Sequence, residues 1–388
     1  MADTSGIDAV LREAVEAGEV PGVAAVAGNA AGTLYEGAFG RRALDRPEPM
    51  TVDTVAWIAS MTKAVTTVAA LQLVEEGRLS LDGPIAEVVR ELAEPQVLEG
   101  FAADGTAMLR TARRPITLRH LLTHTAGFSY DIWNADIGRY MAQQSLPGII
   151  SCRRNALRTP LVADPGERWE YGINIDWVGI AVEKVAGKRL GQVMRERVFG
   201  PLGMVDTDYR LGAAQRERLA GVHARTPEGL SRIEFEVAQE PEFEMGGGGL
   251  YGTARDYLRF CRMILNGGEL DGARILQPET VAEMSRNQIG ALTVRPMLTA
   301  MPASSNDAEF FPGMEKKWGL GFLINTEDAP AGGRAAGSLA WAGLANTYYW
   351  IDPKRDRAGV IVTQILPFAD PAVLDLLTRF ERAVYHAG

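Results

Sequence analysis

The sequence predicts an α+β protein: an antiparallel sheet flanked by helices, assembled from both ends of the chain, with a mostly helical segment inserted between them. Three observations carry that expectation. Strand-like runs lie near the N-terminus and return beyond residue 318, whereas the middle is dominated by helical patterns and long loops. The length, 388 residues, suffices for one large composite core or for two to three average domains.

Residues 7–17 put Ile7, Val10, Leu11, Ala14 and Val15 on one helical face, and Gly18 closes the pattern. Residues 23–28 and 33–40 flank the turn signal at 29–32 and read as a β-hairpin. A long helix is expected over 60–76, ended by Gly77, and shorter ones over 117–123 and 174–186. Residues 253–266 form a further helix with Thr253 as its N-cap. Strands are expected at 319–325, 347–352 and 358–364, and a last helix at 371–385. Residues 289–317, with Pro296, Pro302 and Pro312, read as a long loop over a site. The sheet-bearing domain is thus expected from residues 1–78 and 246–388, the helical one from 79–245, with an active site in the cleft between them.

Composition excludes several function classes. A net charge of −9 and a 23% charged content give no basic face for nucleic acid or for an anionic membrane surface. No apolar run approaches the ~20 residues of a spanning helix, and the first residues lack the basic and apolar regions of a signal peptide. Cys152 and Cys261 are far apart and form no metal or disulfide pattern, so a cytoplasmic setting without metal or organic cofactor is expected.

Ser60-Met61-Thr62-Lys63 is an S-x-x-K sequence at the start of the long helix. A spacing of three puts serine and lysine on one helical face. Serine becomes nucleophilic when a base takes its proton, and lysine is that base only where burial lowers its pKa. Apolar residues on both sides suit that demand. Only six of the 40 basic residues are lysines, which makes a lysine in an apolar setting conspicuous. Against this stands the plain alternative of an N-cap serine and a snorkelling surface lysine. Orphan N–H groups at a helix start also suit an oxyanion.

Further segments, in chain order, resemble the serine β-lactamases, the penicillin-binding proteins and the related family VIII bacterial carboxylesterases. They are Leu121-Leu122-Thr123-His124-Thr125-Ala126-Gly127, Pro165 to Tyr171 in the pattern P-G-x-x-x-x-Y, the glycine tract from Gly246 to Tyr257, and Trp341-Ala342-Gly343 just before a strand. The resemblance implies a β-lactamase/penicillin-binding-protein-like fold, with Ser60 as nucleophile and Lys63 and Tyr171 as its proton-handling partners. Tyr171 is then expected to be partly ionised by an adjacent Lys63 ammonium. The backbone N–H groups of Ser60 and Leu344 would form the oxyanion hole, and His124 would be structural. Trp341, Gly343, Tyr130 and Ile173 are the candidate substrate contacts. Phe128, Tyr130 and Trp133 line an acyl or alcohol pocket or form the core of the helical part.

Two departures from the resembled pattern bear on substrate. Ile173 stands where lactamases and peptidases carry an asparagine, and Trp341-Ala342 replaces the lysine and threonine that hold a substrate carboxylate. The expected partner is therefore a small, neutral ester, hydrolysed through an acyl-enzyme. β-Lactamase, D-amino-acid amidase or peptidase, acyltransferase and a non-catalytic binder of the same fold are the alternatives; the oligomeric state stays open.

Overall fold

The computed structural model describes residues 4–330 and 332–387. A seven-stranded antiparallel sheet is built from β1 (Gly22–Gly28), β2 (Thr33–Gly40), β3 (Lys316–Trp318), β4 (Leu323–Asn325), β5 (Leu339–Gly343), β6 (Thr347–Asp352) and β7 (Arg357–Val362). Its order is β3-β4-β5-β6-β7-β1-β2. The two ends of the chain meet where Ala24 of β1 pairs with Val362 of β7.

Five helices flank the sheet or the site: α1 (Ser5–Glu16), α2 (Thr62–Glu75), α3 (Asn174–Ala186), α4 (Ala254–Leu265) and α5 (Pro371–His386). All residues of β1 and β6 are buried, because helices cover both faces of the sheet. Side-chain alternation shows it directly. Tyr349 meets Tyr257 of α4 at 4.8 Å between ring centroids, while the next residue, Trp350, meets Phe380 of α5 at 5.5 Å. On α5's side α1 is tied down by the Tyr35 hydroxyl, which donates to Asp8 at 2.7 Å.

The sheet is antiparallel and flanked by helices, as expected. Three local expectations are corrected. Residues 319–325 are not one strand but the turn and return of the β3–β4 hairpin, and Gly321 takes φ +85° in it. Trp341-Ala342-Gly343 precedes β6 as expected but is itself strand, the end of β5, where none was expected. The middle of the chain also holds two hairpins, Gln96–Phe101 with Ala107–Thr111 and Val222–Thr226 with Gly229–Ile233. Their alternation is weak because much of each pair faces solvent. Thr253 caps α4 as expected, its hydroxyl accepting from Asp256 N at 3.1 Å.

Gly343 ends β5 against the turn that precedes Ser60. A Cβ there would stand 2.3 Å from Ile58 O and 2.2 Å from Thr347 Oγ1. Gly343→Ala should therefore lower stability by about 1–3 kcal/mol through overpacking. Urea denaturation checks this; an unchanged midpoint would show that the turn yields freely.

Candidate active site

The chain reaches Ser60 through a two-residue ladder, Ala56–Trp57 with Tyr251–Gly252, and a single 3₁₀ turn, Ala59–Met61. Ala59 takes φ +45°, a left-handed conformation that a non-glycine residue holds at a cost of order 1–3 kcal/mol. The strain sits directly before the serine. Beyond it α2 is buried nearly all round, eleven of its 14 residues being buried, and the helix runs through the core instead of along the surface. Lys63, 1% exposed, is carried inside with it. Ser60 does not cap α2, and Lys63 does not snorkel.

The Lys63 amine donates to Ser60 Oγ at 3.0 Å, to Tyr130 Oη at 3.1 Å and to Gly247 O at 2.6 Å. Burial pushes its ammonium down from 10.5 to about 7, while the charge of Asp176 pulls it back upward. An amine so shifted can take a proton from a hydroxyl at neutral pH.

Tyr171 lies beside the same centre, its ring under the Lys63 amine at 4.8 Å. Its hydroxyl accepts from Trp341 Nε1 at 2.9 Å and neighbours the Ser60 hydroxyl. Burial raises the phenol far above its ordinary value; the contacts with Ser60 and Trp341 offset only part of this. Burial thus works against the partly ionised Tyr171 that was expected.

Two apolar hollows open at Ser60. One is lined by Trp57, Tyr130, Ile132, Trp133, Ile149 and Leu344 among others, the second by Trp133, Tyr171, Trp341, Gly343, Leu344 and Phe368. Tyr130, Trp341, Gly343 and Leu344 thus border Ser60, as does Trp133. Ile173 does not. It is 3% exposed at the N-cap of α3 and lines neither hollow, because the preceding turn directs it into the core. Asn174 also points inward, donating to Phe128 O and lying 3.0 Å from His124 Nδ1.

His124 is fully buried beneath Tyr171, 4.7 Å between centroids, and desolvation pushes its pKa well below 6.5. A neutral imidazole in this position supports the tyrosine ring. The consecutive glycines bring backbone carbonyls against buried side chains: Gly246 O accepts from Thr66 Oγ1, Gly247 O from Lys63 Nζ and Gly248 O from Trp57 Nε1. A Cβ on Gly247 would stand 2.6 Å from Asp176 Oδ2. That fully buried carboxylate on α3 escaped the sequence reading. Its only signal was an acidic residue in the first turn of an otherwise apolar helix. Among the described residues, no cluster of histidine, cysteine and carboxylate side chains could hold a metal ion.

A serine bonded to a buried amine, on this fold, defines an enzyme of the serine-hydrolase and acyltransferase type. Residues 7–383 match the family described as Beta-lactamase, and the chain belongs to that family. It is 34% identical to the monacolin J acid methylbutanoyltransferase of Aspergillus terreus, covering 98% of this chain and 95% of that one. It is 32% identical to the lovastatin esterase of Penicillium rubens, with 98% of each chain covered. The solved structure of simvastatin synthase from Aspergillus terreus superposes with a TM-score of 0.86 at 32% identity, covering 99% of this chain and 98% of that one.

The titration of Lys63 sets the expected pH dependence. Below about 7 the ammonium holds its proton and cannot serve as base; above it the free amine can. Activity on p-nitrophenyl butyrate should rise through this range and level off. Lys63→Ala should lower kcat by roughly 10²–10⁴ and abolish the limb. A limb that survives in Lys63→Ala assigns the titration to another group.

Proposed function

We propose that the protein is an acyltransferase that carries an acyl group on Ser60 and passes it to a small-molecule alcohol. Hydrolysis, the activity expected of a family VIII carboxylesterase, is then the side branch in which water takes the acceptor's place. The sequence reading put these in the opposite order. Similarity over nearly the whole chain to a methylbutanoyltransferase is the observation that carries the change. The esterase among the relatives supports the shared acyl-enzyme step.

In this reading Lys63 removes the Ser60 proton as Oγ bonds to the donor's carbonyl carbon. The carbonyl oxygen becomes an oxyanion facing the N–H groups of Ser60 and Leu344. Collapse breaks the bond to the leaving group, which departs with the proton that Lys63 took, passed on through Tyr171. An acceptor alcohol then attacks the acyl carbon and gives its proton to the freed Lys63 amine, which returns it to Ser60 Oγ as the bond between Oγ and the acyl carbon breaks. Substrate enters between the parts formed by residues 1–78 and 246–388 and by residues 79–245, both of which contribute side chains around Ser60. The buried, unpaired cysteines fit the cytoplasmic setting kept in this reading.

The test is product partitioning. With p-nitrophenyl butyrate as donor and a panel of hydrophobic alcohols, butyrate esters should form at the expense of butyric acid, and nitrophenol release should accelerate where deacylation limits turnover. Ser60→Ala should lose turnover and any covalent adduct by intact mass. Only butyric acid across the panel would restore the esterase reading. An adduct retained in Ser60→Ala would remove Ser60 as the nucleophile.

A further inference from the structure

We propose that Asp176 is the positioning residue for Lys63, acting through Gly247 to hold the amine on Ser60. The inference rests on the reading of Ser60 and Lys63 given above. Asp176 sits in the first turn of α3, with no exposure to solvent. A carboxylate is buried at substantial cost unless something compensates its charge. One compensation is geometric: Oδ1 accepts from the backbone N–H of Gly247 at 2.8 Å. The carbonyl of that same glycine accepts from Lys63 Nζ at 2.6 Å. One residue of backbone thus joins the carboxylate to the amine.

The Tyr130 hydroxyl also accepts from Lys63 Nζ, at 3.1 Å. Asp176 Oδ2 has no hydrogen-bond partner among the described residues. The carboxylate therefore fixes the Gly247 backbone, one of the groups that hold the amine, without touching Ser60 itself. It also supplies the negative charge that favours the ammonium. The remaining titratable groups facing Lys63 are Tyr130, Tyr171 and His124, all neutral at physiological pH, since burial raises the phenols and lowers the imidazole. Cys152 and Tyr209 feel the charge of Asp176 from elements further out and are held neutral by burial. No other charged group competes with Asp176 for Lys63 among the described residues.

The substitution Asp176→Asn keeps the size and one acceptor while deleting the charge. With the counter-charge gone, the Lys63 ammonium is less favoured. The acid limb of Ser60 labelling by a fluorophosphonate should then move to lower pH by roughly one unit or more. The plateau rate should fall as well, because the Gly247 N–H is held less firmly by a neutral amide oxygen than by a carboxylate. A residue serving only to stabilise the fold would lower the rate at every pH and leave the limb in place. Asp176→Ser, smaller and also neutral, carries the same comparison if Asp176→Asn fails to fold. An unshifted limb in a folded, labelled variant overturns the inference alone. A wild-type protein that takes no label on Ser60 removes the functional reading and this inference with it.

Discussion

Around Ser60 the molecule is organised by the burial of one amine. An ammonium in a protein interior is strongly disfavoured unless its three protons find acceptors. Lys63 has three: the Ser60 and Tyr130 hydroxyls and the Gly247 carbonyl. When the proton leaves, the amine keeps two donors and gains a lone pair. The Gly247 carbonyl accepts in either state, and the Tyr130 hydroxyl can go on accepting. The Ser60 hydroxyl can reverse its role and donate. The cage thus accommodates both protonation states of Lys63, and the bond that changes direction is the one to Ser60.

Such a cage requires backbone where side chains would ordinarily stand. The glycine tract passes between α2 and α3 at distances that exclude a Cβ: on Gly246 it would stand 2.8 Å from Ile175 O, and on Gly247 it would meet the Asp176 carboxylate. Hydroxyls along α2 then complete the packing, with Thr62 accepting from Leu250 N and Thr66 donating to Gly246 O. A threonine in a helix interior is ordinarily a weak choice. Here those hydroxyls satisfy buried polar groups of the neighbouring tract, which otherwise would cost about 1–3 kcal/mol each.

Local signals explain what was legible in the sequence. The hairpin of β1 and β2, the long α2, the Thr253 cap and the run of α3 all rest on short-range patterns, and these elements form where the patterns lie. Ser60 and Lys63 were visible because a three-residue spacing is itself geometry. Tyr171 came from resemblance alone, since its partners Trp341 and Ser60 are 170 and 111 positions away. Asp176 was invisible for the same reason: its meaning depends on Gly247, 71 residues further on. Ile173 was misread because the departure from a motif was taken to preserve the motif's side-chain direction. A charge beside Tyr171 is apparent in a motif, whereas the desolvation that raises its phenol depends on burial on every side.

The surroundings of Ser60 also bear on the choice between water and alcohol. A water molecule held in a cavity needs two to four polar partners. The hollows offer polar groups chiefly where Ser60, Tyr130 and Tyr171 converge, and the walls beyond are Trp57, Ile132, Trp133, Ile149 and Phe368. Water can be activated at the centre but gains nothing from these walls. An alcohol presents the same hydroxyl to Lys63 and buries its carbon skeleton as well, at about 0.8 kcal/mol for each methylene removed from solvent. A few buried carbons therefore favour the alcohol by a factor of tens to hundreds at equal concentration. Bulk water's high concentration opposes this, and the balance turns on how much apolar surface the acceptor fills. On this physical ground the two activities found among the relatives are alternative outcomes at one kind of site, separated by the size and fit of the nucleophile that reaches the acyl carbon.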